Sequence, residues 1–485
     1  MVKKLARLLS SSVLLVMLFG SPKIPYAAHA APNATIVVDD GGDAPTCSGF
    51  LNLRCAIVVA NAAPFTNIRF ASGITAVLLQ TALPTITGNG TWIDGSDFGT
   101  RIDGSLAFSW TGNNGLTINA SYVTISNMKV VNIPAGADIS VIGGIDTAIA
   151  NDYLGILPGA TQCGGSQSTA GVEVANNRTG SAGSNDNGVA YIYANTISCH
   201  GGSGVEVVNS NYVYVGFERD DVTPSGNNIG TTSDGTRAAG NGYAGVRVAV
   251  NSDQVTVRSN LIANNASGGV NVDGTNIDVS YNTLSANYWG LAISSGSTQT
   301  IIGNKIGTSA NGLLPMPNAH EGIIIYAGSG IFLSDNIVEY NRAAGIAVTG
   351  NSTHAEIQNN EIHNNGGLPI DLGNDGATPN GTKFPPGPNN WLNYPVVTSF
   401  SGSIVLGTTC PNCAVYIYKA IGNPAAPGGG GIFQTNVWAN ASGQWSVNLP
   451  NGLTRFDVTF TAFDSGGNTS EMSPRPVLYL PLIRR

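Results

Sequence analysis

The sequence predicts an all-β protein whose middle is a solenoid of short stacked strands. Three observations carry this expectation: a composition poor in charge and rich in turn residues, a phrase that recurs about every 22 residues, and asparagines at fixed places within it. Of 485 residues only 10% are charged, against roughly 25% in an ordinary soluble domain. There are 63 glycines and 51 asparagines, against 21 Lys and Arg and 29 Asp and Glu. Helix surfaces need charged unbranched residues, and neither Gly nor Asn favours a helix interior, so a mostly helical protein is excluded. With 42% hydrophobic residues and a modest net charge of -8, the chain is also not of disordered type.

The elements follow in chain order. Residues 1–30 read as a secretory signal: Lys3, Lys4 and Arg7 precede an apolar run from Leu8 to Phe19, and Ala28-His29-Ala30 offers a small-x-small cleavage site. That run is too short to span a bilayer, and no later stretch is long and apolar enough for a transmembrane helix. The protein is expected outside the cell or at its surface. Without those leading cations the remaining chain is still more acidic, which argues against tracking a phosphate backbone; no nucleic-acid partner is expected. Six cysteines fit an oxidising destination: Cys47, Cys55, Cys163, Cys199, Cys410 and Cys413. Their neighbouring positions make three disulfides the simplest reading, although six cysteines allow fifteen connectivities.

The repeat is a glycine, alternating β-branched residues, a turn, another strand, then Asn-x-(Ile, Leu or Val). Copies start at Gly245, Gly269, Gly290, Gly322 and Gly345, with asparagines at Asn260, Asn282, Asn304, Asn336 and Asn360. A second asparagine follows by five in several copies, at Asn265, Asn287, Asn341 and Asn365. Gly171 and Gly204 open related copies with longer turns. A period this short with several strands per turn means a solenoid. Equivalent asparagines in successive coils would lie about 4.8 Å apart and bond as an internal ladder. Leucine-rich repeats share the period but need leucines that are absent here. The parallel β-helix satisfies all of these constraints.

With these repeats in hand, the chain resembles the secreted bacterial right-handed parallel β-helix proteins of pectate-lyase-like fold. Residues 34 to 62, with Cys47, Leu53-Arg54-Cys55-Ala56-Ile57 and Ala60-Asn61-Ala62, resemble the CSLREAI-type segment of that group. Here Leu51 holds the usual Cys place and Cys55 stands one helical turn later, so the resemblance allows a Cys47–Cys55 bond. The segment implies an N-terminal cap over the open end of the solenoid, with Arg54 reaching coil-end carbonyls. Toward the other end, the stretch from Ile370 to Gly376 resembles the joint to a C-terminal β-sandwich of immunoglobulin-like build, and short strands separated by turn signals fill residues 394–475. The expected organisation is a signal at 1–30, a cap at 31–69, a right-handed β-helix at 70–372, a linker at 373–393, the sandwich at 394–475 and a tail at 476–485. That tail, Tyr479 to Arg485, reads equally as a sorting signal or a frayed strand.

The candidate chemistry lies on the repeat. Two long turns match, Ile229 to Gly245 and Ile306 to Gly322, with a degenerate third beginning at Leu154; they should leave one corner and form a raised edge. Two residues after each coil glycine stand Glu173, Glu206, Arg247 and Asn271, a solvent-facing row in which Glu206 and Arg247 are close enough to pair. Such a row either grips a sugar chain by bidentate hydrogen bonds or is a solvated ladder worth under about 1 kcal/mol per pair. Tyr243, Tyr288 and His320 stand two before the glycines, with Trp289 beside one of them. Aromatics at repeat spacing suit stacking on sugar rings, and packing under a turn is the alternative. Asp371, Asn374 and Asp375 resemble the start of a calcium loop, but Thr382 stands where an EF-hand needs Glu, and an Asx-turn fits as well. Cys410-Pro411-Asn412-Cys413 lacks a second CxxC for zinc and reads as a clip.

The motif series of polygalacturonase-type enzymes is absent: Asp220-Asp221 follows rather than precedes Cys199-His200-Gly201, and Glu218 to Asp221 reads as a solvated cluster. The expectation is therefore a non-catalytic secreted or cell-surface protein that binds a polysaccharide, a surface glycan or an envelope protein, with no cofactor unless calcium. The alternative is a polysaccharide lyase or glycoside hydrolase.

Overall fold

The computed structural model describes residues 34–47, 51–96, 99–106, 113–164, 168–178, 188–216 and 225–475. The expected signal (1–30), the Glu218–Asp221 cluster and the tail (476–485) lie outside the described residues. The chain winds through three sheets, in strict rotation from Leu116–Asn119 onward. Sheet 1 holds twelve strands from Ala34–Val38 to Thr353–Gln358, and sheet 3 holds ten from Leu116–Asn119 to Ile370–Leu372. Sheet 2 begins at Ala76–Leu78 and has fourteen strands, of which the last three belong to the C-terminal module. Within the solenoid every named strand pairing is parallel, and register is kept from coil to coil, as in Val246↔Val270↔Leu291↔Ile323↔Ile346↔Ile370 on sheet 3, with one shift at Ile118/Asn119. Alternation turns these Val, Leu and Ile side chains inward, where they form one continuous core along the axis.

The corners explain the asparagines. A single residue in the left-handed region turns the chain before the ladder residue: Ser259 (φ 61°), Tyr281 (φ 55°) and Asn359 (φ 57°) precede Asn260, Asn282 and Asn360. The next side chain then points inward and satisfies the turn's backbone. In the first ladder, each of Asn195, Asn227, Asn260, Asn282, Asn304 and Asn336 donates its N–H and Nδ2 to Oδ1 of the next, ending at Asn360. The ladder is longer than the repeat suggests, since Asp152 begins it by accepting from Met128 N. Burial pushes the Asp152 carboxyl well above the usual carboxylate range.

The second ladder runs through Asn241, Asn265, Asn287, Asn318, Asn341 and Asn365. At its start the imidazole of His200 replaces an amide. His200 Nδ1 lies 2.8 Å from Asn241 Oδ1, and Nε2 lies 3.0 Å from Asp138 Oδ2. Asp138 occupies the coil-glycine position, and Gly171 in the next coil clears the path: a Cβ there would come within 2.8 Å of the imidazole. Asn241 is oriented by the ladder with its oxygen toward Nδ1, so Nδ1 carries a proton. The fully buried pair then shares one further proton between Nε2 and the Asp138 carboxyl, whose pKa burial raises.

Both ends are closed. Leu53–Ala62 forms the one α-helix among the described residues, capped by Asn52, whose side chain accepts from Cys55 N at 3.0 Å. Leu53, Ala56, Ile57 and Ala60 of this helix join the solenoid core. Arg54 donates to the carbonyls of Ala82 (2.6 Å) and Thr81 (3.1 Å) and pairs with Asp43. The cap begins inside the solenoid: Ala34–Val38 and Thr66–Phe70, expected in a separate segment, already pair in parallel in sheet 1. They lack the glycine and asparagine that mark later coils, so the repeat does not reveal them.

At the other end a small sandwich packs Val396–Ser401, Ile404–Thr408 and Gln444–Asn448 against Ala414–Ile421, Gly430–Trp438 and Val458–Phe463, around Val405, Val415, Ile417, Trp445 and Phe460. It is fused to the solenoid, because Gly430–Trp438 pairs antiparallel with Glu361–His363. The other two terminal strands are finished by side chains. In sheet 1 the amides of His354, Ala355 and Ile357 donate to Asn468, Asn389 and Thr469. In sheet 3 the Leu372 amide donates to Glu471 Oε1, whose other oxygen accepts from Thr378 N. All three open edges are thus covered, which protects them from pairing with another chain. Residues 373–393, expected as a linker, contribute Asn389 to this seal. The disulfides are Cys47–Cys55, Cys163–Cys199 and Cys410–Cys413.

Candidate functional site

The outward face of sheet 3 carries the predicted polar row in register. One residue per coil, it reads Ser140, Glu173, Glu206, Arg247, Asn271, Ala292, Ile324, Ala347, Asp371. Ser140 Oγ donates to Glu173 Oε2 at 3.0 Å, and Arg247 Nη1 is paired with Glu206 Oε1. The expected pairing is therefore made. Asn271 turns aside, donating to Ser267 Oγ at 3.1 Å. Beyond it the row becomes apolar, and Ala292, Ile324 and Ala347 form a buried patch with Trp289 packed on it.

The rim is built at the corner between sheets 2 and 3. The loops following Tyr153–Leu154, Asn228–Ile229 and Lys305–Ile306 all leave that corner, as expected. The matched pair fold as small hairpins bridged at Thr231↔Ala238 and Thr308↔Pro315. Asp234 closes the first through Thr232 and Thr236, and these hydrogen bonds hold its carboxyl down to about 2. The third loop is tied down by Cys163–Cys199.

Backbone bonds run Gly202, Tyr243, Ser267, Tyr288, His320, Ala343 through successive coils at this corner. Tyr288 and His320 are adjacent and stack, with centroids 4.0 Å apart and 25° between planes. Tyr243 stands apart, separated from Tyr288 by Ser267, although it too is exposed (45%). Trp289 makes an edge contact with Tyr288 at 4.5 Å and another with Tyr326 at 6.1 Å. Its Nε1 donates to Glu321 Oε2 at 2.9 Å, and Glu321 Oε1 accepts from Asn374 Nδ2 at 3.0 Å. Trp289 is thus half packing and half surface, fixed in angle by a buried carboxylate. Tyr326 (40% exposed) rises from the opposite edge of the same sheet, and burial with the nearby Glu321 charge raises its hydroxyl pKa. Sequence reading missed Tyr326 and Glu321; their signal was the spacing of one aromatic and one acid around the Gly322 coil.

The calcium trio does not converge. Asp371 accepts from the amides of Asp375 and Gly376, both at 3.2 Å, four and five residues on, so its side chain closes a wider loop than an Asx-turn. Asn374 faces Glu321, and Asp375 pairs with Lys383. Each side chain is engaged with a different partner.

A family model described as "Right handed beta helix region" matches residues 222–384. With the sheet rotation above, this defines the molecule as a right-handed parallel β-helix protein. No curated protein matches the chain. Among solved structures, a periplasmic alginate epimerase, AlgG, is 13% identical over 62% of this chain and 76% of its own, with a TM-score of 0.37. The pectate lyase Pel9A is 11% identical over 69% and 79%, at 0.34. PfbA, a surface adhesin of Streptococcus pneumoniae, is 12% identical over 61% and 88%, at 0.27. Overlaps at these scores carry no argument about activity or ligand.

Proposed function

We propose that this is an exported, non-catalytic protein that binds a glycan along the outward face of sheet 3. The observation that carries this reading is the Tyr288–His320 stack beside Trp289, held at the raised corner of a face whose Arg247–Glu206 pair lies two and three coils away. A sugar ring has an apolar face that stacks on aromatic planes and a rim of hydroxyls that bond to carboxylates and guanidinium groups. Both kinds of group stand here on a rigid support with one coil per about 4.8 Å, close to the rise of one sugar unit. In the row as a whole the single cation, Arg247, is already paired with Glu206. That pairing favours holding hydroxyls over the proton abstraction that a lyase needs. The three disulfides and the leading segment at 1–30 support export.

The test is affinity electrophoresis of the purified chain in gels containing bacterial or plant polysaccharides. Retardation by at least one polymer is expected, and Tyr288→Ala should reduce the binding constant up to about tenfold, as expected for losing about 0.5–1.5 kcal/mol of stacking. Equal retardation of wild type and Tyr288→Ala would remove the aromatic corner from the account.

A further inference from the structure

The last two solenoid strands of sheet 2, Ile337–Glu339 and Glu361–His363, lie in parallel register with Ile337 opposite Glu361 and Glu339 opposite His363. Val338 and Ile362 are fully buried in the core, so alternation puts Glu339, Glu361 and His363 together on the outward face. The imidazole Nε2 lies 2.9 Å from Glu361 Oε1 and 3.3 Å from Glu339 Oε1. All three ligand-type atoms lie within 4.8 Å of one another.

This arrangement is short of positive charge. A neutral imidazole offers one N–H at Nε2 and cannot satisfy two carboxylates, while a protonated one brings a single charge against two. The ion pairs formed by Glu339 and Glu361 both go to this same nitrogen. His363 Nδ1 is buried without a hydrogen-bond partner, so no acceptor on that side fixes the tautomer, and an ion at Nε2 would replace the proton that faces the two carboxylates.

We propose that Glu339 Oε1, Glu361 Oε1 and His363 Nε2 bind one zinc ion. Ligand bonds of about 2.0–2.1 Å in tetrahedral geometry put neighbouring ligand atoms about 3.3–3.4 Å apart, which the Glu339–His363 separation already meets and the Glu361 side chain reaches by a small rotamer shift. Imidazole with two carboxylates suits zinc better than calcium, which takes six to eight oxygens. The Glu361 side chain is 32% exposed, leaving a fourth position open to water. Glu361 and Ile362 also pair with Ile432 and Gly431 of the sandwich. The ion therefore ties the coil that pairs with that module to the coil before it, and its role is structural.

The purified full chain, stripped with chelator and dialysed, is titrated with zinc chloride by calorimetry, and its Tm is measured with and without one equivalent of zinc. One saturable equivalent with a Kd of micromolar or below is expected, with a rise in Tm. Glu361→Gln, on a partly exposed side chain that leaves the core untouched, should weaken binding at least tenfold and abolish the Tm rise while the metal-free Tm stays close to wild type. No saturable uptake by wild type would overturn the proposal. So would unchanged affinity and stoichiometry in Glu361→Gln, which would place the zinc elsewhere, or saturable calcium binding without zinc binding.

Discussion

Asn304 sits in the middle of the first ladder, fully buried. Its Oδ1 accepts from Asn282 N at 2.9 Å and from Asn282 Nδ2 at 3.1 Å. Its Nδ2 donates to Val279 O at 2.7 Å, to Asn336 Oδ1 at 3.0 Å and, more weakly, to Ile302 O at 3.3 Å. Asn304→Ala deletes all five bonds and leaves their partners in a space water does not reach. An unsatisfied buried group costs about 1–3 kcal/mol. Two donors of Asn282 lose an acceptor, one of them retaining only Val257 O, and three acceptors lose a donor, of which Ile302 O and Asn336 Oδ1 keep another. The expected loss is about 3–5 kcal/mol, far above the roughly 0.5 kcal/mol of an ordinary surface substitution. Urea unfolding followed by tryptophan fluorescence measures it. Hydrogen exchange should show the damage centred on the coils carrying Asn282, Asn304 and Asn336, since solenoid repeats interact mainly with their neighbours. A loss below about 1 kcal/mol, or uniform loosening of the whole chain, would refute the ladder as a source of stability.

Three further outcomes are expected. His200→Ala strands the fully buried Asp138 carboxyl and should cost about 3–5 kcal/mol, whereas Asp138→Ala combined with His200→Ala should cost less than the sum of the single changes; additive losses in a double-mutant cycle would deny the shared proton. Burial raises the Glu471 carboxyl from its ordinary 4.5 to about 7, so the folded state holds a proton there that the unfolded chain has released. Its contribution is complete below pH 4.5 and is lost as pH rises through about 7, a change of roughly 3 kcal/mol; intrinsic-rate-corrected exchange of the Leu372 and Thr378 amides should quicken over that range in wild type and not in Glu471→Gln. Opening the Cys163–Cys199 bond by Cys163→Ser should loosen the loop after Leu154 while leaving the ladders protected, as limited proteolysis would show.

Much of the solenoid was legible because its signal is repeated. Each coil spends a glycine and two asparagines on the same geometric problem, so Gly245 to Asn365 announced both strand phase and ladder. The row Glu173, Glu206, Arg247, Asn271 followed directly, since parallel register carries an offset from one coil to the next. What failed to show was anything made once. Ala34–Val38 lies in sheet 1 without the phrase that marks later coils. The fusion of Gly430–Trp438 to the solenoid depends on an edge pairing that no local pattern encodes. The aromatic corner was half legible: equivalent positions pointed to Tyr243, Tyr288 and His320, but only the last two stand on adjacent coils, which brings them together. His363 meets Glu339 across 24 residues, and nothing in either strand alone distinguishes them from solvated side chains.

The central claim is that the outward face of sheet 3 holds a polymer without cutting it. The direct measurement is size-exclusion chromatography of the purified chain with plant and bacterial polysaccharides, with and without calcium, following both protein and polymer size. The account predicts co-elution with an intact polymer, weakened by Tyr288→Ala. Shortening of any polymer would contradict it and direct attention to the acids of the Glu206–Arg247 row, and absence of co-elution with every polymer would leave the face without the ligand proposed for it.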